Sequence, residues 1–354
     1  MLFIMPFLFI NTSCPQSTPT YKIFQFPADK IPSIDGDTSD WDIVPEDYAI
    51  GIDQLRDDRP DSIRHKSIDK KNLDVKVKVG WVKGLDKLYI LYQASDNYWD
   101  FFNRDLHNDI FELVVDGDRS GGPFITSFHP DKTMSKMDAW FSFQNTQAQN
   151  YHIFTPPLDK KWAMVWGPQS WLAELPWSNA AYKYNFKPGE PGRLTLECWI
   201  TPFDYAGAEG PQRAVPSLLT ENKIIGLCWA IIDYDDVDKQ SPANNGFWNL
   251  SPIHTMYGDA SALPPFRLMP LLDTFRQPVT AHWSFSTAGR SVHFQDRSEG
   301  NIDTWTWDFG DGAASNEQNP VHTYKNPGYF VVTLTVQGKK DKSRLTKVWE
   351  VAVK

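Results

Sequence analysis

The stretch Trp305-Thr306-Trp307-Asp308-Phe309-Gly310-Asp311-Gly312 constrains the C-terminal part of this chain more than any other segment. Trp305 and Trp307 alternate along an extended run, so one ring faces a core and the other faces outward. Gly310 and Gly312 permit the left-handed backbone of a tight turn. Asp308 and Asp311 can accept hydrogen bonds from its amides. Alternating runs flank the stretch at Ala281 to Ser286, Ser291 to Asp296, Tyr329 to Gln337 and Lys347 to Val353, separated by turn residues such as Asn326-Pro327-Gly328. Short strands at such spacing predict a small antiparallel β-sandwich. Its boundary falls between Asp273 and Pro278, so the domain spans residues 279–354.

From Val279 to Val353 the sequence resembles a PKD domain. The resemblance rests on Trp307-Asp308-Phe309-Gly310-Asp311-Gly312, Asn319-Pro320, His322-Thr323-Tyr324, Pro327-Gly328-Tyr329 and Val331 to Val336. It implies an immunoglobulin-like sandwich in an exported protein, acting as a spacer. The main site is then expected upstream.

Upstream, helical periodicity is weak and period-2 runs are plentiful. Val75 to Val79 and Leu88 to Tyr92, joined by a Gly/Asp turn, predict a hairpin. Further strands are predicted at Phe111 to Asp116, Ala139 to Gln144, Arg193 to Thr201, Ile224 to Asp233 and Phe266 to Leu271. Residues 151–192 carry Trp162, Trp166, Trp171 and Trp177 among prolines and predict an aromatic insertion loop packed on the sandwich. The whole chain thus predicts an all-β protein with a large sandwich over 21–272.

Four segments of this domain together resemble family 9 carbohydrate-binding modules. They are Ile34-Asp35-Gly36-Asp37 with Trp41; Leu88 to Tyr92 with Asp96 and Asn108 to Asp116; Ile225-Gly226-Leu227 through Asp233; and Tyr257-Gly258-Asp259-Ala260-Ser261 through Leu268. The resemblance implies a site where aromatic rings stack on the C–H face of a sugar and polar side chains bind its hydroxyls. Carried over by position, the first stacking Trp falls on Leu106 and the second on Tyr257. The hydroxyl-binding Glu falls on Glu112, and an Arg of the next strand falls on Ser142. Trp99, Trp140 and Trp248, with Phe101 and Phe102 nearby, are the rings that could compensate for Leu106; the alternative for each is packing in the core or against a loop.

The resemblance also implies calcium. Acidic loops supply the oxygens that hard cations prefer, and Asp116, Asp118 and Asp233 are the candidate ligands, beside Asp109/Glu112 and Asp235/Asp236/Asp238. Asp116 to Gly122 reads equally well as an acidic turn closed by glycines.

The chain begins with an apolar run, Met1 to Ile10, too short to span a bilayer, followed by Asn11-Thr12-Ser13-Cys14. This resembles a bacterial lipoprotein signal over residues 1–14, with Cys14 as the lipid attachment site; plain secretion is the alternative. Cys198 and Cys228 could pair or remain buried thiols. The net charge of −9, without a basic block, argues against a nucleic-acid partner. With no nucleophile elbow, HExxH or phosphate loop, the reading is a non-enzymatic, monomeric glycan-binding protein at the cell surface, accessory to polysaccharide degradation. The alternatives are a glycoside hydrolase or its subunit, a structural or adhesion protein, and a haem-binding sandwich using His65, His107, His129, His152 and Met134 or Met137.

Overall fold

The computed structural model describes residues 19–58, 68–101, 108–122, 131–235, 246–276 and 278–354, with the side chains of 140–143 and 348–349 left out. The chain separates into two compact units, Met1–Pro270 and Leu271–Lys354.

The strands of the first unit are β1 (Tyr21–Gln25), β2 (Ile50–Gly51), β3 (Arg56–Asp57), β4 (Leu73–Trp81), β5 (Leu88–Asp96), β6 (Ile110–Asp116), β7 (Gln149–Phe154), β8 (Ala163–Val165), β9 (Ser178–Tyr184), β10 (Gly192–Ile200), β11 (Phe203–Tyr205), β12 (Val215–Pro216), β13 (Ile224–Asp233), β14 (Gly246–Asn249) and β15 (Pro265–Leu268). Apart from β11 and β12, which pair only with each other, they form two sheets that share one strand. The first runs β8-β7-β6-β13-β15-β1, with β14 on β13 and β3 on β14. The second runs β1-β4-β5-β10-β9, with β2 on β4. Strand β1 passes from one to the other: Tyr21 to Ile23 pair with β15, and Phe24 and Gln25 pair with β4, both in parallel.

The sheets bury their facing residues in one core. Tyr92 of β5 stacks on Phe111 of β6 with centroids 4.6 Å apart, so Phe111, Leu113 and Val115 point between the sheets. The strand period then turns Glu112 and Val114 to the other face of the first sheet. Strands buried on both faces read as apolar runs, and β6 and β13 do so. Cys198 and Cys228 are free, buried thiols on different sheets. Trp41 and Gly36 of the Ile-Asp-Gly motif clamp onto β10: the Trp41 indole donates to Glu197 Oε1 at 2.8 Å, and the Gly36 amide donates to Glu197 Oε2 at 2.7 Å.

Two sequence expectations fail here. Residues 136–143 form a helix, α1 (Lys136–Phe143), where a strand was expected at Ala139 to Gln144. Ser135 caps it, accepting from the Asp138 amide at 3.1 Å while donating to its carboxylate. Residues 151–192 are not an insertion loop, because they supply most of β7 and all of β8 and β9. The rings of Trp162, Trp171 and Trp177 pack on Tyr151 and Phe203.

The second unit holds β16 (Trp283–Ala288), β17 (Ser291–Asp296), β18 (Thr304–Asp308), β19 (Ala314–Ser315), β20 (Val321–Thr323), β21 (Gly328–Gln337) and β22 (Lys342–Val353). Sheets β16-β17-β20 and β19-β18-β21-β22 enclose a core around Trp283, Phe294, Trp307 and Tyr324. Trp307 is the inward ring. Trp305 is half-buried, its indole donating to Asp296 Oδ2 at 2.8 Å. Gly310 is required where it stands: φ is +78°, and a Cβ would lie 2.3 Å from the Val331 carbonyl oxygen. Asp308 and Asp311 accept from the Gly310 and Ala313 amides.

Candidate functional site

The outward face of the first sheet gathers Glu112, His152, Asn150 and Tyr257. Glu112 lies opposite Ala230 on one side and His152 on the other. Its Oε2 is 2.5 Å from His152 Nδ1, and both side chains are about 5% exposed. Asn150, one step along β7 on the same face, donates to the Tyr257 carbonyl at 2.8 Å. Tyr257 ends a 3-10 turn, His254–Tyr257, and stays half-exposed. Burial raises its phenol above the usual range, and the nearby charges of Glu112 and Asp58 add to this.

Two neighbours extend the cluster. The Trp166 ring meets His152 edge-on at 5.8 Å. The His254 ring meets Tyr257 edge-on at 5.6 Å, and its Nδ1 is 3.2 Å from Asp58 Oδ2. Hydrogen-bonding groups on a sheet floor beside half-exposed rings suit a ligand with both hydroxyls and apolar C–H faces.

Of the expected site residues, the structure brings Glu112 and Tyr257 together. Trp99 is corrected to a core residue: it is 1% exposed, stacks on Phe186 at 4.6 Å and 3°, and its indole donates to the Gly192 carbonyl. Trp248 is corrected likewise. It pairs with Ile231, which shares the inward face with Phe111, and lies in the core at 7% exposure. Trp140 lies in α1 rather than on a strand. Ser142 lies there too, so the residue that faces Glu112 from the next strand is His152, not Ser142. Leu106, Phe102, Cys14, His65, His107, His129, Asp236 and Asp238 lie outside the described residues. Sequence reading missed Asn150 and His254 and placed Trp166 in a loop. Their only signal was the alternation of Asn150, His152 and Phe154, hidden because β7 is polar yet wholly buried.

The acids sort differently from the expectation. Asp96 at the end of β5, Asp109 just before β6 and Asp233 at the end of β13 are buried together, each offering an oxygen within 4.8 Å of the others. Burial pushes Asp96 up to about 7. Burial, with the charges of Asp96 and Asp233, raises Asp109 well above the usual carboxylate range. The amides of Tyr234 and Asp100 donate to Asp109, that of Tyr98 donates to Asp96, and Asn72 donates to Asp233. Three buried carboxylates of one sign fit a hard cation. Asp116 and Asp118 lie apart from this cluster, in a turn at the other end of β6. Asp116 accepts from the Arg119 and Gly121 amides, and Asp118 from Ser120.

Residues 276–353, nearly all of the second unit, match the family model described as PKD domain. Collagenase ColQ1 of Bacillus cereus is 47% identical over 51 residues, 14% of this chain and 5% of that protein. The chain therefore covers only a small part of the length of this curated relative. A family 9 carbohydrate binding module from Caldicellulosiruptor kristjanssonii, in complex with glucose, aligns with 72% of this chain and 98% of its own, at 14% identity and a TM-score of 0.44. The PKD1 domain of Vibrio cholerae metalloprotease PrtV aligns with 22% of this chain and 98% of its own, at 32% identity and a TM-score of 0.21.

Proposed function

We propose that the first unit binds carbohydrate without catalysing a reaction, outside the cytoplasm, as an accessory to polysaccharide degradation. The observation that carries this reading is the assembly of Glu112, His152, Asn150 and half-exposed Tyr257 on one sheet face. The Glu112–His152 pair would bind sugar hydroxyls, fully buried Asn150 would hold the Tyr257 turn in place, and the Tyr257 ring would cover a C–H face. The four family 9 motifs support the same reading. The PKD domain serves as a spacer.

Calcium belongs to the same proposal, in a structural role. Asp96, Asp109 and Asp233 would hold it, and the ion would supply the positive charge that lets three neighbouring carboxylates ionise. Anchoring through a lipid on Cys14 is also proposed. Among the described residues no helix is long and apolar enough to cross a membrane.

Isothermal titration of the full chain with neutral oligosaccharides tests the reading. Binding should weaken in Tyr257→Ala, and failure of the wild type to bind any of them rejects it.

A further inference from the structure

The second sheet has its own open trough, on the face turned away from the core. It encloses about 510 Å³ over β4, β5 and β10, walled by the segment from Ala49 to Asp53 and by Lys70. The strand register sets out its floor in two rows. Asp74, Ser95 and Arg193 form one, and Lys76, Gln93 and Thr195 form the next. Lys183 of β9 continues the second row beyond Thr195.

The charges here are not equivalent. Lys70 pairs with Asp53 and also feels the charge of Asp74, while Lys76 and Lys78 share Glu46, so these lysines are held by carboxylates of the protein itself. Arg193 is exposed and makes no ion pair among the described residues, and neither does Lys183 on the adjoining strand. Gln93, Ser95 and Thr195 are half-buried, and their side chains make no hydrogen bond to another described residue. An amide, two hydroxyls and a guanidinium thus stand ready along one floor, without an aromatic ring in the lining.

We propose that this trough is a second ligand site, taking an acidic sugar: Arg193 binds the carboxylate of a uronate residue while Gln93, Ser95 and Thr195 bind its hydroxyls. A planar guanidinium matches a carboxylate with two parallel hydrogen bonds, which a lysine cannot do. A floor without rings gives a neutral pyranose no stacking surface, so the cation selects the ligand. The site lies on the other sheet from Glu112 and Tyr257 and does not depend on the reading given to them.

The test is titration of the full chain with a glucuronate-bearing xylo-oligosaccharide, the matching neutral xylo-oligosaccharide and acetate, at low and high salt. The titrations are repeated in Tyr257→Ala, so that the first sheet's face is discounted. The acidic oligosaccharide should bind more tightly than the neutral one and weaken with salt. Arg193→Gln and Thr195→Val should each lose affinity, the former at least tenfold, and Tyr257→Ala should retain it. Both substituted residues are partly exposed, and an unchanged melting temperature separates lost contact from lost fold. Equal binding of the neutral oligosaccharide, equal binding of acetate, or unchanged affinity in Arg193→Gln would overturn the proposal.

Discussion

Glu112 Oε2 and His152 Nδ1 approach to 2.5 Å across adjacent strands, with Ala230 on the carboxylate's other flank. The pair is buried, so each group depends on the other for its hydrogen bond. Replacing His152 by Phe should cost about 1–3 kcal/mol of stability, the usual penalty for stranding a buried polar group. Glu112→Gln, which keeps an acceptor for His152, should cost less. Urea denaturation of the two variants checks the order.

Trp99 fills the core between Phe186 and the Gly192 backbone. Trp99→Ala should destabilise the first unit by about 3–5 kcal/mol, as large buried aromatics do. Carbohydrate affinity measured on the remaining folded protein should be unchanged. A selective loss of affinity at full stability would contradict its place in the core.

The fold was legible wherever packing left a period in the residues. Ile224–Asp233, an apolar run, and Ser291–Asp296, an alternating one, have the bounds expected from the sequence. Two features left no such trace. Strand β7, Gln149-Asn150-Tyr151-His152-Ile153-Phe154, is buried on both faces and polar on one, so it resembles a loop. With β7 overlooked, Ala139 to Gln144 took its place, and Glu112 was given Ser142 as neighbour in place of His152. The other is β1, whose change of sheet depends on pairings with β15 and β4, far along the chain. The same distance hid the acidic cluster: Asp96, Asp109 and Asp233 meet only because three strand ends converge. Trp99 and Trp248 show the opposite error, because composition gives a ring's stacking ability but not its face.

The Asp96, Asp109 and Asp233 cluster predicts calcium-dependent stability. Adding calcium should raise the melting temperature of the full chain, and chelator should lower it. At a calcium concentration one hundred times Kd, linkage gives about 2.7 kcal/mol. Asp109→Asn should abolish the calcium response, whereas Asp118→Asn should retain it. A melting temperature indifferent to calcium and chelator removes the ion from the account.

Asp116 predicts a pH effect of definite sign. Burial pushes its carboxyl up to about 6, and the hydrogen bond and charge of Asp118 act in the same direction. A carboxyl raised on folding stabilises the native state at pH values below its unfolded pKa. That contribution is lost as pH rises through the folded value. Stability from this group should therefore fall between about pH 4 and pH 6 and level off above. Asp116→Asn should flatten that part of the stability profile, followed by chemical denaturation in the presence of chelator. A profile of unchanged slope in the variant would contradict the assignment.

The central claim is that the outward face around Glu112 and Tyr257 binds sugar. Its most direct test is isothermal titration of wild type and Tyr257→Ala with neutral oligosaccharides of glucose and xylose. Removing one stacking ring should weaken binding by at least about tenfold, or 1.4 kcal/mol, with the melting temperature nearly unchanged because the ring is half-exposed. Equal affinity in the two proteins, or no binding by the wild type, would contradict the claim.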